Sequence, residues 1–144
     1  MTRLLFALLA LATSVFAATP IDGKAAAEAK LIETVKRAFE TNDTKLLLTM
    51  FCWDRVPDSG RVMISNVVAA SMRGNKIIEV KLVPPPADFL DTKEQFKGVT
   101  FKPNLSILHQ LVVLPDPASG QGVMKFPVGE KSGQLLIANM APAR

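Results

Sequence analysis

The sequence predicts an α+β fold in which two to three N-terminal helices pack on an antiparallel β-sheet of about four strands. Helix-forming residues, and apolar residues at three- and four-residue spacings, fill the chain between residues 24 and 74. Over residues 76–83 the apolar residues alternate with polar ones, which is typical of a half-buried strand. The longest apolar run of the second half of the chain, residues 105–114, lies between two proline-containing turns and predicts the buried central strand.

The first two predicted helices differ in length. One covers residues 24–41 and places its apolar side chains on a single face. The other covers residues 45–53, can be capped by Asp43 or Thr44, and is apolar on most sides, so we expect it to be largely buried. The predicted buried face of the long helix consists of Leu31, Ile32, Val35, Ala38 and Phe39.

A third helix is predicted to follow the break at residues 54–58. Asp58 or Ser59 can cap its start, and Gly74 suits the left-handed conformation that commonly follows a helix end. The inner side of this helix is predicted to be formed by Val62, Ile64, Val67, Val68, Ser71 and Met72.

The first strand of the second half is predicted over residues 76–83. Its alternation places Ile78, Val80 and Leu82 on the inner face, and three consecutive prolines end it. Residues 87–102 are predicted as a loop, with a helical turn near residues 91–95 and a short strand over residues 99–102. Phe89, Leu90, Phe96, Val99 and Phe101 are the apolar residues of this otherwise polar segment.

Two further strands are predicted over residues 123–128 and 134–140, joined by a hairpin loop over residues 129–133. Pro127 has no amide hydrogen to donate, so its strand is predicted to lie at a sheet edge or to carry a bulge. The tail, residues 141–144, is predicted to be loose.

The N-terminal segment has the pattern of a secretory signal peptide. Arg3 is followed by an apolar stretch over residues 4–12, and Val15 and Ala17 occupy the small-residue positions of a cleavage site. We expect cleavage after Ala17, or else after Ala18, leaving residues 18–144 as one domain that is secreted or periplasmic. The alternative, a membrane anchor, is disfavoured because the apolar stretch is shorter than the roughly 20 residues that span a bilayer.

Charge and cysteine content narrow the functional classes further. Without Arg3, 16 of the 17 basic residues remain beside 13 acidic ones, a net charge of +3. The basic residues are scattered, so a nucleic-acid interface is not predicted, and no later segment is predicted to span a membrane. Cys52 is the only cysteine and lies in an apolar segment, which predicts an inert buried thiol and no internal disulfide.

The segment over residues 35–47 combines the end of an amphipathic helix, a polar break and the start of a short second helix. This order, followed by an antiparallel sheet, resembles the nuclear transport factor 2-like superfamily, which includes SnoaL-like domains and has the cystatin-like fold as its parent shape. The resemblance implies a curved sheet that wraps a long helix and leaves a conical pocket. Some members, similar to ketosteroid isomerase, perform acid–base chemistry there, whereas others bind a ligand or a partner. This chain has no tyrosine to serve as the phenol of an isomerase-like site.

His109 and Asp54 are the candidate catalytic residues. His109, the only histidine, would serve as a general base if the face of its strand lines a pocket; alternatively it is a sheet histidine bonded to the backbone. Asp54 follows an indole, which could raise the pKa of its carboxyl group; alternatively it pairs with Arg55 or Arg61. The candidate ligand-binding residues are Trp53, Phe39 and Leu111.

The sequence favours a non-catalytic function. One histidine and one cysteine far apart do not predict a metal site, and no nucleotide-binding or nucleophile motif indicates a cofactor. We therefore predict an exported domain that binds a small apolar ligand or a protein partner, including a second copy of itself. The alternatives are an isomerase- or dehydratase-like enzyme using His109 with Asp54, and an envelope-assembly subunit that pairs through the strand at residues 123–128.

Overall fold

The computed structural model describes residues 22–143. The signal peptide predicted over residues 1–17 lies outside the described residues. Within them, three helices precede seven strands. The helices are α1 (Gly23–Glu40), α2 (Thr44–Leu48) and α3 (Asp58–Met72). The strands are β1 (Ile77–Val83), β2 (Glu94–Phe96), β3 (Val99–Pro103), β4 (Ile107–Pro115), β5 (Met124–Lys131), β6 (Gln134–Ile137) and β7 (Met140–Pro142).

The main sheet has four antiparallel strands in the order β1-β4-β5-β6. It is curled into a half-barrel, and the helices pack against it. The predicted α+β fold class, with N-terminal helices on a curved four-stranded antiparallel sheet, is confirmed. The apolar run at residues 105–114 supplies β4, which lies inside the sheet between β1 and β5 as its continuous hydrophobicity predicts.

The core lies between α1 and the main sheet. The predicted inner face of α1 is confirmed, because four of its five residues are buried and Ile32 is half-buried. They pack with apolar side chains of the two inner strands, β4 and β5, and of the edge strand β6. The buried members of this cluster from α1 and those three strands are Leu31, Val35, Ala38, Phe39, Leu111, Val113, Val128, Leu135 and Ile137.

The second helix is shorter than predicted. It ends at Leu48, and the chain then turns so that Phe51 forms a parallel bridge with Ile137 of β6. The amide of Cys52 donates to the carbonyl of Ile137 over 2.8 Å, and the amide of Ile137 donates to the carbonyl of Met50 over 2.7 Å. These bonds to the sheet edge replace the helical bonds that a longer α2 would have made.

The inner face predicted for α3 is wrong in part. Val68 and Met72 are buried and Ile64 is half-buried, whereas Val62 and Val67 are 62% and 60% exposed. Residues 64, 68 and 72 recur every four positions and form one narrow stripe along the helix. The two buried residues of the helix lie on this stripe. Ser71, also predicted for the inner side, is half-buried, whereas Val62 and Val67 lie off the stripe and are mostly exposed.

A β-bulge changes the inner face predicted for β1. The register with β4 shifts between Ile77 and Glu79, and Ile78 is 65% exposed. Because the extra residue of a bulge reverses the alternation, Ile77 replaces Ile78 against the core while Val80 and Leu82 keep their predicted side.

The first alternative predicted for Pro127, a sheet edge, is wrong, because β5 pairs with β4 on one side and β6 on the other. The second, a bulge at Pro127, is wrong as well, because Pro127 pairs with Gln110 and the register shift lies between Ile107 and His109 on β4. The carbonyl of Pro127 accepts from the amide of Ala138 over 2.8 Å, just past the end of β6. In an antiparallel strand the nitrogen and carbonyl of one residue point to the same side. The nitrogen of Pro127 therefore faces residues beyond the end of β6, where no strand needs a hydrogen bond from it.

A second sheet was not predicted: β2, β3 and β7 form three antiparallel strands in that order. The helical turn predicted near residues 91–95 and the loose tail predicted from residue 141 are wrong, because these segments supply β2 and β7. The short strand predicted over residues 99–102 is confirmed as β3. The β2–β3 hairpin turns through Lys97 and Gly98, which both have positive φ, as a two-residue turn of the type I′ class requires.

Gly129 lies within β5 and not in the predicted hairpin loop, which is reduced to the two-residue turn Ser132-Gly133. A Cβ atom at residue 129 would lie 2.7 Å from Cβ of Leu105 and would also clash with the carbonyl oxygen of Ser106. Glycine is needed here because it lets the chain entering β4 approach β5 closely, beside the register shift between Ile107 and His109.

Replacing Gly129 by alanine should therefore destabilise the protein. The clash involves backbone atoms that cannot rotate away, so we expect a loss of about 1–3 kcal/mol in the free energy of unfolding. Urea denaturation of Gly129→Ala measures it. Gly122→Ala is the matched control, because nothing lies within 4 Å of its added Cβ. Equal stability of the two variants would contradict the close approach.

Candidate functional site

Two asparagines join three separate segments of the chain. The side-chain amide of Asn104 donates to the carbonyls of Cys52 (2.7 Å) and Asp54 (3.0 Å). That of Asn139 donates to the same carbonyl of Cys52 over 2.9 Å. The two asparagines also bond each other: the amide of Asn139 donates to Oδ1 of Asn104 (2.9 Å), and the amide of Asn104 donates to the carbonyl of Asn139 (2.8 Å). We call this set of bonds the asparagine clasp.

The segment between α2 and α3 is fixed by further bonds on both sides of the clasp. The indole nitrogen of Trp53 donates to the carbonyl of Leu48 over 3.1 Å. Arg61 donates to the carbonyls of Trp53 and Val56, each over 3.1 Å. Arg55, whose φ is +60°, donates to the carbonyl of Pro142 in β7 over 2.8 Å. This segment is therefore held by α3, by the main sheet and by the second sheet.

An open apolar cleft of about 740 Å³ lies beside this framework. Its walls come from the N-terminal half of α3, the segment around Phe89, the second sheet, and the link between β6 and β7. The lining residues are Val56, Pro57, Gly60, Met63, Ile64, Phe89, Thr92, Glu94, Phe96, Phe101, Pro103, Pro127, Ala138, Asn139 and Met140. Three phenylalanines and two methionines make this lining predominantly apolar.

Some of the largest side chains of the cleft are exposed. Met63 is 63% exposed and Phe96 is 64% exposed. Burying such a side chain contributes roughly 1.5–3 kcal/mol, which the fold leaves unrealised at these two residues. Contiguous exposed apolar surface of this kind is typical of a binding site.

The cleft has few polar groups. Thr92 donates its hydroxyl to the carbonyls of Asp88 (3.2 Å) and Phe89 (3.4 Å), so this donor is used within the protein. Glu94 is exposed, and Asn139 is 8% exposed. Among residues 22–143, no lysine, arginine, histidine or cysteine belongs to the lining.

The predicted ligand-binding residues lie elsewhere. Phe39 and Leu111 belong to the core beneath α1, where they are 4% and 0% exposed. Trp53 is half-buried; its ring stacks on Phe51 with 5.7 Å between ring centroids, and the guanidinium of Arg61 lies 5.9 Å from its ring. None of the three lines the apolar cleft.

The two candidate catalytic residues have different partners. Nε2 of His109, on β4, lies 3.7 Å from Oε1 of Glu28, on α1, and both side chains are partly exposed. Asp54 forms an ion pair with Lys131 of β5, and both of these side chains are about half exposed. No ion pair joins His109 to Asp54 within residues 22–143, and neither residue lines the cleft.

The environment of Asp54 is opposite to the one expected from its neighbouring indole. A hydrogen bond and charge attraction from Lys131 lower the pKa of the Asp54 carboxyl group, and the same contact raises the pKa of Lys131. The ion-pair partner among the described residues is Lys131 and not Arg55 or Arg61, whose guanidinium groups donate to backbone carbonyls. The charge of Arg55 nevertheless contributes to the lowered pKa of Asp54. Lys131 reaches Asp54 because β5 extends to residue 131 before the hairpin turns.

No protein-family model, curated protein sequence or solved structure matches this chain. The described residues contain no group of three or more His, Cys, Asp or Glu side chains placed to hold a metal ion. None of the helices between residues 22 and 143 combines the length and the apolar character that crossing a bilayer requires.

One feature of the sequence indicates the cleft, namely three phenylalanines in a polar segment. Phe89, Phe96 and Phe101 are apolar residues in a segment whose other residues are mostly polar. Such residues need either a core or a ligand to cover them, and in this fold they line the cleft. Met63 and Met140 could not be assigned in the same way, because nothing in their local pattern separates them from core residues.

Truncating Asn104 should test the asparagine clasp. Asn104→Ala removes three side-chain hydrogen bonds and leaves the carbonyl of Asp54 and the amide of Asn139 without these partners. We expect the free energy of unfolding to fall by about 2–4 kcal/mol in urea denaturation. Asn66→Ala is the control, because Asn66 is exposed on α3. A loss no larger than that of the control would contradict the structural role of the clasp.

The ion pair between Asp54 and Lys131 should make stability depend on pH in the acid range. Because folding lowers the pKa of Asp54, its contribution is fully present above the ordinary value of 3.8 and is lost as the pH falls through the lower folded-state pKa. A double-mutant cycle of Asp54→Asn and Lys131→Gln, followed by urea denaturation from about pH 7 to about pH 2, measures it.

We expect a small favourable coupling energy at neutral pH, reduced by added salt because both groups are exposed, and a smaller coupling energy at the acid end. A coupling energy that persists unchanged at the acid end would contradict the assignment of this pair.

Proposed function

We propose that this protein is an exported, non-catalytic binding domain that takes a small apolar ligand in the cleft between α3 and the second sheet. The observation that carries the proposal is the cleft itself: about 740 Å³ of space lined mainly by apolar side chains. Small-molecule sites typically have volumes of roughly 300–1,000 Å³ and a mostly apolar lining with a few polar groups. The cleft has both properties.

The flexibility of the lining also supports ligand binding. Methionine side chains adapt to irregular shapes, and Met63 and Met140 lie on different walls of the cleft. The walls themselves are anchored by the asparagine clasp and by the bond from Arg55 to β7. Because the backbone of the walls is fixed and the methionine side chains can adapt, the cleft can accept an apolar molecule without a rearrangement of the backbone.

The alternative of an isomerase- or dehydratase-like enzyme has less support. It requires His109 and Asp54 at one pocket, whereas His109 lies beside Glu28 and Asp54 pairs with Lys131. The polar lining of the cleft is limited to Thr92, Glu94 and Asn139 among its side chains with hydrogen-bonding groups, and the hydroxyl of Thr92 is already bonded. The envelope-assembly alternative is also weakened, because β5 is an inner strand.

Two parts of the proposal depend on observations other than the cleft. Export depends on the signal-peptide pattern of residues 1–17. Membership of the nuclear transport factor 2-like superfamily depends on the element order of helices followed by a curved antiparallel sheet, and it stays a prediction.

Binding can be tested with the fluorescent probe N-phenyl-1-naphthylamine, which brightens in apolar sites. We expect it to bind the wild-type protein, and Met63→Lys to weaken that binding about tenfold or more, because a charged side chain would then occupy an apolar wall. Val67→Lys is the matched control: Val67 lies one turn further along α3, is 60% exposed against 63% for Met63, and does not line the cleft.

Absence of probe binding by the wild-type protein, or equal weakening by both lysine variants, would overturn the proposal. Gel filtration over a range of protein concentrations accompanies the titration. A dimer that Met63→Lys dissociates would instead indicate that the cleft wall is covered by a second copy of the chain.

A further inference from the structure

Asn139, in the link between β6 and β7, has most of its hydrogen-bonding groups occupied. Its backbone amide donates to Oδ1 of Asn104, and its backbone carbonyl accepts from the amide of Asn104. Its side-chain nitrogen Nδ2 donates to the carbonyl of Cys52 over 2.9 Å. Two hydrogen-bonding sites of the side chain remain within residues 22–143: Oδ1, for which no donor is found, and the second hydrogen of Nδ2, for which no acceptor is found.

The orientation of this side chain follows from its bonds. If the amide were flipped, Oδ1 would face the carbonyl oxygen of Cys52, and two acceptors would oppose each other. Nδ2 therefore faces Cys52 and Oδ1 faces away from it. No fully buried side-chain oxygen or nitrogen lacks a partner among the described residues, so Oδ1 keeps an opening. Because Asn139 is 8% exposed and belongs to the lining of the apolar cleft, we assign the opening of Oδ1 to the cleft.

An acceptor of this kind favours one chemical group over others. A ligand that filled the cleft with apolar atoms alone would remove water from Oδ1 and leave the oxygen unpaired, which opposes binding. A hydroxyl group on the ligand would donate to Oδ1 and avoid that loss. The same group would need no charged partner.

The charge of the cleft opposes ionic ligands. A carboxylate or phosphate would meet the carboxylate of Glu94 and the amide oxygen of Asn139, with no cationic residue in the lining. An ammonium group at Oδ1 would be desolvated against a neutral acceptor, which is costly. The carboxylate of Glu94 would offset little of that cost, because it is exposed and its charge is screened by solvent. A neutral hydroxyl satisfies Oδ1 without either penalty.

We propose that the ligand is a neutral apolar molecule with one hydroxyl group, a long-chain or ring alcohol, whose hydroxyl donates to Oδ1 of Asn139 while its apolar body covers Met63 and Phe96. This inference rests on the proposed binding function and adds the chemical class of the ligand. It makes Asn139 the residue that determines specificity.

Three small molecules of similar size test the inference on the wild-type protein, by displacement of N-phenyl-1-naphthylamine. They are 1-decanol, methyl nonyl ether, which cannot donate a hydrogen bond, and decanoate, which is anionic. We expect 1-decanol to displace the probe at a concentration about tenfold lower than either of the others. Displacement by the ether or by decanoate at the same or a lower concentration would overturn the inference.

The outcomes separate the two proposals. If the probe binds in a manner sensitive to Met63→Lys but 1-decanol fails to displace it, the hydroxyl assignment is wrong and the binding function stands. If the probe does not bind the wild-type protein, the binding function fails and this inference fails with it.

Two further measurements locate the hydroxyl at Asn139. In ¹H–¹⁵N correlation spectra, 1-decanol should shift the side-chain amide resonances of Asn139, and the ether should shift them less. Asn139→Leu should remove the preference for the alcohol, whereas Asn66→Leu, at an exposed site on α3 outside the cleft, should keep it. If Asn139→Leu does not fold, as its circular dichroism would show, the spectra of the wild-type protein decide. Unshifted Asn139 resonances with bound 1-decanol would overturn the inference.

Discussion

The asparagine clasp is the constraint on which the geometry of the candidate site depends. Asn104 and Asn139 bond each other and share the carbonyl of Cys52 as an acceptor. The segments they join enter β4, leave β6 and precede α3, so the clasp fixes where α3 lies relative to both sheets. The cleft is bounded by these same elements, and its shape therefore follows from a few amide–carbonyl bonds more than from apolar packing. A partly buried polar network of this kind favours one arrangement, because each alternative would leave some of its members unpaired.

Much of the fold follows from periodicity in the sequence. The apolar spacing of α1 and the continuous run that becomes β4 each point to one structure and one degree of burial, and the structure agrees. Periodicity fails where the backbone departs from regular geometry. The bulge near Ile78 reverses the alternation of β1, and β2 and β7 have only three residues each, which is too short for a pattern. β2 is joined to β3 by a short hairpin, whereas β7 pairs with β3 from a distant part of the chain.

The site was less predictable than the fold, because hydrophobicity alone does not distinguish a core residue from a cleft residue. Phe39 and Leu111 are as apolar as Phe96 and Met63, yet the first pair is buried and the second is mostly exposed. The difference arises from which elements cover each side chain, and those elements come from separate parts of the chain. The same holds for the titratable residues. Glu28 lies far in sequence from His109, and Lys131 lies far from Asp54, so no local pattern could predict either contact.

The parallel bridge between Phe51 and Ile137 has a consequence for solubility. An unpaired outer strand can recruit strands from other molecules and start fibril growth. At the β6 side of the main sheet, the chain itself occupies part of that position through the backbone of residues 50–52. At the opposite side, β1 carries the exposed charges of Glu79 and Lys81 next to its bulge, and both features discourage docking of a further strand. Each border of the half-barrel is thus protected against polymerisation by a different means.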